Sequence, residues 1–409
     1  MPLDAIPAAA DACDSAAALP FPRRVAILGS TGSIGGSALR VVDSLAGRLE
    51  VVALAAGRNL DRLEAQVRRY RPRLVSVAAA DGARELERRL ADLEPRPEIA
   101  HGAAGLSAAA ASAGAQIVVA AVVGIAGLQA AQDALAAGCW LALANKEILV
   151  AGGELVTAAA RRSGALILPV DSEHCALHQC LRAGGRAEVR RLILTASGGP
   201  FRELPLSEFA RLTPAQALRH PTWTMGERVT LDSATLMNKG FEILEACHLF
   251  GRSEREVDVV IHPQSLVHSL VEFHDGSLVA QLGRADMALP IQYALTWPER
   301  LPVSDSARLL ELGRLEFHPP DPRRFPCLEL ARAAGRAGGG AGAALNAADE
   351  AALAAFRRGA IPFSAIPQVI EAVLAASSGP PPRSIGDILE IDRQARRLAE
   401  NWIAAQTSS

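Results

Sequence analysis

Between Arg24 and Leu168, short aliphatic runs rich in β-branched residues alternate with segments of helical periodicity. The runs contain no alternation of polar with apolar residues, which is expected of strands that are covered on both faces. Strands separated by helices in this way form βαβ units, so the rhythm predicts an α/β fold with a parallel, doubly wound, Rossmann-like sheet. The clearest predicted strands are 25–28, 51–54, 74–77, 117–120 and 141–143.

The second half of the chain has a different organisation. A predicted strand at 189–195 precedes a proline-punctuated stretch over 198–225, a long helix pattern over 233–250 and three closely spaced strands. This order predicts an α+β domain with a mixed or antiparallel sheet, and helix patterns beyond residue 326 predict a C-terminal helical bundle. The predicted division is a disordered tail over 1–22, a dinucleotide-binding domain over 23–171, a catalytic domain over 172–296 with a flexible lid at about 198–226, a linker over 297–325 and a helical domain over 326–409.

The composition of the 409-residue chain excludes several classes of function. Its formal net charge is −2 and 4% of its residues are aromatic, so it lacks the basic surplus and the stacking platforms of nucleic-acid binding proteins. Its longest apolar stretch, 117–128, is too short to span a membrane. Six cysteines without a CxxC pair fit free thiols in a reducing compartment. We therefore expect a cytoplasmic protein that acts on a small molecule and has no nucleic-acid or membrane partner.

A glycine-rich turn joins the first predicted strand to the helix that follows it. Gly29, Gly32 and Gly35 let the backbone turn tightly, and the helix N-terminus presents free N–H groups to a pyrophosphate. The GxxGxxG spacing favours a dinucleotide site, although a glycine-rich turn without a ligand has the same sequence. After the second strand stands Arg58, where an NAD site usually has an acid. Because a guanidinium can pair with a 2′-phosphate, we expect NADPH rather than NADH, unless Arg58 is a plain surface arginine.

Acidic residues occur in two places where they could share a metal ion. Asp171 and Glu173 follow a strand-like segment, whereas Asn238, Lys239 and Glu242 have spacings that place them on one face of a helix. Three converging carboxylates without a cation would repel one another, and an all-oxygen ligand set favours Mg²⁺ or Mn²⁺ over Zn²⁺. The same acids could equally be solvated surface charges.

Two further features of these segments bear on the ligand. Ser233 is predicted to lie in the first turn of the long helix, where a phosphate is favoured, so the helix suits a phosphorylated polyol. A competing zinc site is offered by His174 and His178, which are four residues apart, with Cys175 and Cys180 nearby. The segment lacks the HExxH base, and a helix packed on the sheet explains the same spacing.

Eight short motifs follow one another in a specific order. They are GSTGSIG (29–35), NKE (145–147), PVDSEH (169–174), TASGGPFR (195–202), HPTWTMG (220–226), LDSATLMNKGFE (231–242), HPQS (262–265) and DM (286–287). As a set they resemble the 1-deoxy-D-xylulose 5-phosphate reductoisomerase family, from about Val25 to the C-terminal helices. The resemblance implies NADPH-dependent rearrangement and reduction of 1-deoxy-D-xylulose 5-phosphate to 2-C-methyl-D-erythritol 4-phosphate, in the non-mevalonate route to isoprenoids, by a homodimer.

The resemblance also implies roles for individual residues. The implied metal ligands are Asp171, Glu173 and Glu242, and the implied catalytic residues are Lys146, His220, Lys239 and Glu242. The implied substrate-binding residues are Lys146, Ser172, Glu173, Ser197, His220, Ser233, Asn238, Lys239 and Glu242. The implied NADPH-binding residues are Thr31, Gly32, Ser33, Ile34, Gly57, Arg58, Asn59, Asn145, Glu147, Gly226 and Met287. A mobile loop that closes over the substrate is implied to carry His220, Trp223 and Met225.

The chain departs from the family pattern at Cys175, His178, Arg228 and Asp349, none of which is an implied metal ligand. Arg228 replaces a frequent lysine, and Asp349 stands where asparagine is usual. Two other functions remain open from the sequence. A simple NADP-dependent dehydrogenase acting on a phosphorylated or acidic metabolite would not need the cluster of Asp171, Glu173 and Glu242. A non-enzymatic nucleotide-sensing protein would not need His220 and Lys239.

Overall fold

The computed structural model describes residues 18–219, 223, 226–303, 307–377 and 379–407. The N-terminal half is built on a seven-stranded sheet in which all neighbouring strands are parallel. The strands are β1 (Arg23–Leu28), β2 (Leu49–Ala55), β3 (Leu74–Val77), β4 (Glu98–His101), β5 (Ile117–Ala120), β6 (Trp140–Leu143) and β7 (Ile167–Pro169). Their order across the sheet is β4-β3-β2-β1-β5-β6-β7, which confirms the predicted α/β class with a doubly wound sheet.

Helices cover this sheet and bury the continuous apolar strands that the sequence predicted. The strand that the sequence analysis missed is β4, which lies at the sheet edge and is only half-buried, so it lacks a continuous apolar run. The order of the strands reverses between β1 and β5. The glycine-rich turn directly follows β1 and therefore lies at this reversal, where α/β sheets usually bind their ligands. The helices are α1 (Ser33–Ser44), α2 (Leu60–Tyr70), α3 (Ala80–Arg89), α4 (Gly102–Ala111), α5 (Leu128–Ala136) and α6 (Glu147–Ser163).

A second, four-stranded sheet follows helix α7 (Ser172–Cys180). Its strands are β8 (Val189–Ala196), β9 (Val257–Ile261), β10 (Val267–Phe273) and β11 (Leu278–Leu282), in the order β11-β10-β8-β9. Only the pair β8 and β9 is parallel, so this sheet is mixed, which is one of the two arrangements that the sequence predicted. Between β8 and β9 the described residues form a short helix α8 (Pro214–Ala217) and two longer ones.

These two longer helices correct the predicted single helix over 233–250. Helix α9 (Glu227–Thr235) ends at Leu236, and α10 (Met237–Phe250) starts directly after it. Leu236 has a φ of 62°, a left-handed conformation that interrupts the helix. Ser233 therefore lies in the last turn of α9, and the prediction that it lies in the first turn of a helix is wrong.

The C-terminal helices pack on the rest of the molecule as well as on one another. After α11 (Ala288–Thr296) they are α12 (Pro326–Ala337), α13 (Ala341–Arg357), α14 (Ile366–Ala376) and α15 (Ile385–Thr407). They share a buried cluster with Val150 of α6 and with Met237 and Phe241 of α10. Within the described ranges, no helix combines the length and the apolar character that crossing a membrane requires.

Candidate active site

One cleft brings together most of the residues that the sequence singled out. It is lined by the N-terminal half of α1, by residues that follow β6 and β7, by the end of β8, and by α9 and α10. The predicted site residues that line it are Ser33, Ile34, Lys146, Asp171, Ser172, Glu173, Ser197, Trp223, Gly226, Ser233, Asn238, Lys239 and Met287. Glu242 is fully buried next to this surface. His220 and Met225 lie outside the described residues.

The glycine-rich turn forms one wall of the cleft. Gly29 has a φ of 88°, and a Cβ on Gly35 would lie 2.3 Å from the Gly29 carbonyl oxygen, so neither position has room for a side chain. Gly32 caps α1 without a side-chain hydrogen bond, and no acidic residue lies in the first turn of the helix. The first N–H groups of α1 are thus free of a local side-chain acceptor, which suits an anionic group.

Basic residues lie near this turn at the end of β2. Gly57, Arg58 and Asn59 are exposed and lie outside the cleft lining. The Asn59 side chain caps α2 by accepting from the N–H of Arg62 at 3.0 Å. The Arg62 guanidinium in turn donates to the Thr31 carbonyl oxygen at 2.9 Å. A second guanidinium besides Arg58 therefore lies beside the glycine-rich turn, and no motif in the sequence indicated it.

Asn145 and Glu147 flank Lys146 after β6 but do not line the cleft themselves. Asn145 donates to the carbonyl oxygens of Val122 and of Gly124, the latter at 2.7 Å. Glu147 begins α6 and forms an ion pair with Arg228 at 2.8 Å. The two side chains therefore hold the loop after β5 and the start of α9 against the end of β6.

The predicted metal ligands converge at another part of the cleft. One oxygen each from Asp171, Glu173 and Glu242 lies within 4.8 Å of the other two. Asp171 caps α7 with one oxygen, which accepts from the N–H of Glu173 at 3.1 Å. The side chains of Asp171, Glu173 and Glu242 are 12%, 15% and 0% exposed, so they are not solvated surface charges.

Two lysines neutralise this cluster. The Nζ atom of Lys146 lies 2.8 Å from Asp171 Oδ2 and 3.0 Å from Glu242 Oε1. Lys239 bonds to the other oxygen of Glu242 and lies 3.7 Å from Glu173. Asn238 donates to Glu242 at 2.7 Å, as the predicted shared helix face requires. Three carboxylates and two ammonium groups thus form one buried network.

Burial and neighbouring charges set the pKa values in this network. Burial raises the pKa of Glu173 to about 8, and the carboxylates of Glu242 and Asp171 add to the effect against the opposing charge of Lys239. Burial alone would raise the pKa of Asp171, but Lys146 and His174 hold it well below its ordinary value. One carboxyl of the cluster is therefore set up to hold a proton that a bound cation would displace.

His174 lies behind the metal-ligand candidates. Its Nε2 atom donates to the Glu242 carbonyl oxygen at 2.8 Å, and its Nδ1 atom lies 3.2 Å from Glu245 and 3.3 Å from Asp171. His178 instead contacts the Tyr293 hydroxyl at 2.7 Å. Within the described part of the chain, neither group of residues that could hold a metal ion includes His178 or a cysteine, so the zinc alternative has no support.

Ser197 and Ser233 face the cleft from two adjacent segments. Gly199 has a φ of 66°, and a Cβ there would lie 2.6 Å from the Ser233 carbonyl oxygen, so the loop after β8 lies directly on α9. The Ser233 hydroxyl donates to the Val229 carbonyl oxygen at 2.8 Å. The two serines are thus brought together by packing, although no helix N-terminus lies at Ser233.

Trp223 also lines the cleft, and the centroid of its ring lies 6.2 Å from that of His268.

Several residues of the site were not predicted. Ser37 and Arg40 line the cleft, and their spacing of four and seven residues after Ser33 on α1 could have indicated them. Glu245 follows Glu242 by one helical turn, which is the signal that could have found it. Further unpredicted residues of the lining include Thr195, Ser265 and Asp286.

Three family models match the chain in succession. They are 1-deoxy-D-xylulose 5-phosphate reductoisomerase over residues 25–153, 1-deoxy-D-xylulose 5-phosphate reductoisomerase C-terminal domain over residues 167–250, and DXP reductoisomerase C-terminal domain over residues 282–398. The 1-deoxy-D-xylulose 5-phosphate reductoisomerase of Moorella thermoacetica is 53% identical over 378 residues, which cover 92% of this chain and 97% of that protein. The enzyme of Solibacter usitatus is 50% identical over 388 residues, which cover 92% and 96%.

Solved structures agree with these matches. The reductoisomerase of Zymomonas mobilis in complex with NADPH superimposes with a TM-score of 0.88 at 41% identity, covering 93% of this chain and 99% of that one. A reductoisomerase in complex with NADPH, fosmidomycin and magnesium has a TM-score of 0.88 at 40% identity and covers 93% and 98%. The similarity therefore extends over both sheets and the C-terminal helices.

Proposed function

The chain belongs to the 1-deoxy-D-xylulose 5-phosphate reductoisomerase family, and we propose that its cleft rearranges and reduces 1-deoxy-D-xylulose 5-phosphate to 2-C-methyl-D-erythritol 4-phosphate. NADPH is the reductant, and the reaction is a step of the non-mevalonate route to isoprenoids. One observation carries the proposal: the end of the glycine-rich turn, at Ser33 and Ile34, lines the same cleft as Asp171 and Glu173 of the three-carboxylate cluster. A simple dehydrogenase needs the first feature but not the second.

The turn at Gly29–Gly35 fits a dinucleotide because backbone can approach its pyrophosphate without side-chain interference. Solved relatives bind NADPH, which agrees with the arginines near the turn. Arg58, helped by the neighbouring Arg62, would pair with the 2′-phosphate. The proposed contacts along the rest of the cofactor are made by Thr31, Gly32, Ser33, Ile34, Gly57, Asn59, Asn145, Glu147, Gly226 and Met287.

The carboxylate cluster fits a divalent cation because one oxygen from each of three carboxylates converges on one point. Lys146 and Lys239 pair with these oxygens in the structure, and a bound cation would take their place as the partner of the carboxylates. Solved relatives bind magnesium, and the all-oxygen ligand set accepts Mn²⁺ equally well. Asp171, Glu173 and Glu242 would hold the ion. When bound, the cation supplies Lewis acidity to two neighbouring substrate oxygens, and NADPH supplies the hydride.

The remaining side chains bind and orient the substrate. Lys146 and Lys239 donate hydrogen bonds to its oxygens, and their positive charge stabilises negative charge that develops there. Ser172 and Asn238 hold further hydroxyl groups. Ser197, Ser233 and Asn238 surround the phosphate. Trp223 lines the cleft, and we propose that it excludes water from the bound substrate. His220 and Met225, for which the resemblance implies the same role, lie outside the described residues.

One assay tests the activity. Purified protein is mixed with 1-deoxy-D-xylulose 5-phosphate, NADPH and Mg²⁺ or Mn²⁺, and the absorbance of NADPH is followed. We expect oxidation that stops after chelation of the metal and that fosmidomycin, a ligand of a solved relative, inhibits. Absence of NADPH oxidation, or oxidation that survives chelation, would reject the proposed function.

The exposed edge of the second sheet suits an interface with a second copy of the chain in the cytoplasm. Strand β11 lies at that edge and exposes Leu278 and Leu282. We expect sedimentation to give twice the 42.8 kDa mass of one chain. The double variant Leu278→Lys, Leu282→Lys is expected to sediment as a monomer, and an unchanged dimer would reject this edge as the interface.

A further inference from the structure

A buried group of charges lies next to the cleft, and among its members only Glu147 has a role in the proposed reaction. It joins helices α6, α9 and α13 around the guanidinium of Arg228. This guanidinium lies 2.8 Å from Glu147 of α6, donates to Asn346 of α13 at 2.6 Å, and bonds to Glu350 of α13. A single side chain of α9 therefore links three helices that are far apart in sequence.

The partners of Arg228 stand next to residues of the cleft. Glu147 directly follows Lys146, which lines the cleft. Asp232, whose Oδ2 atom lies 3.6 Å from Arg228, directly precedes Ser233, which also lines the cleft. A shift of α9 relative to α6 would therefore move Ser233 relative to Lys146 within the cleft.

The charges are buried deeply enough for their pairing to matter. The side chains of Arg228 and Glu147 are 19% and 11% exposed, and that of Asp349 is 0% exposed. The buried carboxyl groups of Asp232 and Asp349 interact with each other through a side-chain hydrogen bond as well as with Arg228. Because a buried charge that loses its partner is strongly destabilised, loss of the guanidinium would force these carboxylates to move or to take up protons.

We propose that Arg228 is a positioning residue of the reaction, which holds α9 against α6 and α13 and so keeps Ser233 in place relative to Lys146 and Glu147 at the start of α6. The inference rests on the proposed function. The planar fork of an arginine has five N–H donors and can reach acceptors on three helices at once, whereas one ammonium group cannot. Arg228 and Asp349, two departures from the family pattern, lie 3.8 Å apart in this group.

The first test compares Arg228→Gln with the wild-type enzyme. Glu147 loses its ion pair, so we expect the Kd for NADPH to rise roughly tenfold and kcat/KM to fall on the order of ten- to a hundredfold, as misplacement far from the reacting atoms can cause. The Kd is measured by fluorescence titration without substrate, and kcat and KM by NADPH oxidation.

A matched control is Arg396→Gln. Arg396 bonds to the same Glu350 but pairs otherwise with Asp392 of its own helix α15. This variant is expected to lower Tm while leaving the Kd for NADPH and the KM for substrate at wild-type values. Equal effects of Arg228→Gln and Arg396→Gln on these constants would show that Arg228 has only a structural role.

A conservative variant decides the matter if Arg228→Gln does not fold. Arg228→Lys keeps the charge but loses the fork, and we expect a rise of about threefold in the Kd for NADPH, between wild type and Arg228→Gln. An unchanged Kd would overturn the inference. A wild-type enzyme that does not turn over the phosphosugar would instead reject the proposed function, and the NADPH titration would still test the role of Arg228.

Discussion

The two walls of the cleft are built in different ways. The cofactor wall is one continuous segment, the turn from Gly29 to Gly35, whose backbone shape is set by glycine itself. The substrate wall combines residues that are 25 to 96 positions apart, such as Lys146 with Asp171 and with Glu242. The cofactor wall depends on the absence of side chains at its glycines. The substrate wall depends on opposite charges that lie close together. Variants should therefore affect the two walls separately.

Glu242→Gln is expected to have the largest effect, because it removes a full negative charge from the substrate wall. Turnover should fall by about two to three orders of magnitude, comparable to the loss of other major electrostatic contributions to catalysis. The Kd for NADPH should stay at its wild-type value, since Glu242 does not line the cofactor wall. Steady-state kinetics and fluorescence titration measure the two quantities. Asp258→Asn, on β9, changes a carboxylate that is 40% exposed and is the control with unchanged activity. Near-normal turnover of Glu242→Gln would reject Glu242 as a metal ligand.

Gly35→Ala should damage the cofactor wall alone. The added Cβ would lie 2.3 Å from the Gly29 carbonyl oxygen, so the turn must open, and we expect kcat/KM for NADPH to fall on the order of tenfold to a hundredfold. Binding of Mn²⁺, measured by calorimetry, should not change. Gly82→Ala, on α3, meets its nearest atom at 3.7 Å and should be neutral or slightly stabilising. Weakened metal binding in Gly35→Ala would mean that the walls are not independent.

Arg58→Ala should change the cofactor preference more than the rate. Without this guanidinium a 2′-phosphate loses an ionic partner, so the ratio of kcat/KM for NADPH to that for NADH should drop about tenfold. Kinetics with both cofactors give the ratio. Arg62→Ala is the informative companion, because Arg62 also donates to Thr31 and its loss should raise the KM for both cofactors. A ratio that Arg58→Ala leaves intact would reject Arg58 as the 2′-phosphate partner.

Asp349→Asn should have the smallest effect, and it should depend on pH. Burial raises the pKa of Asp349, and burial also raises the pKa of Asp232 to about 6, above its ordinary value of 3.8. A raised carboxyl pKa means that the folded state gains stability below the unfolded pKa and loses it as pH rises through the folded pKa. Between pH 4 and pH 7 the wild type should therefore lose free energy of unfolding relative to the variant, by on the order of 1 kcal/mol. Urea denaturation at several pH values measures this difference, and parallel curves would contradict it.

Several elements were predictable because their signals are local. The strands of the first sheet are continuous apolar runs, and the acids at 171 and 173 follow one of them, so their type and approximate position could be read directly. The left-handed Leu236 was not predictable, because a leucine has no intrinsic preference for that conformation. Helices α9 and α10 on either side of it both pack in the cluster formed with the C-terminal helices, which involves residues far away in the sequence. Because of the break at Leu236, Ser233 lies at the end of a helix and not at its start.

The sequence by itself determined the class of fold, the position of the glycine-rich turn and the family, since each depends on a periodicity, a small side chain or an ordered set of motifs. Only the tertiary structure decided that Asp171, Glu173 and Glu242 share one point, that two lysines neutralise them, and that Arg228 links three helices behind them. Coulomb interactions depend on distance through space, and distance along the chain does not indicate it.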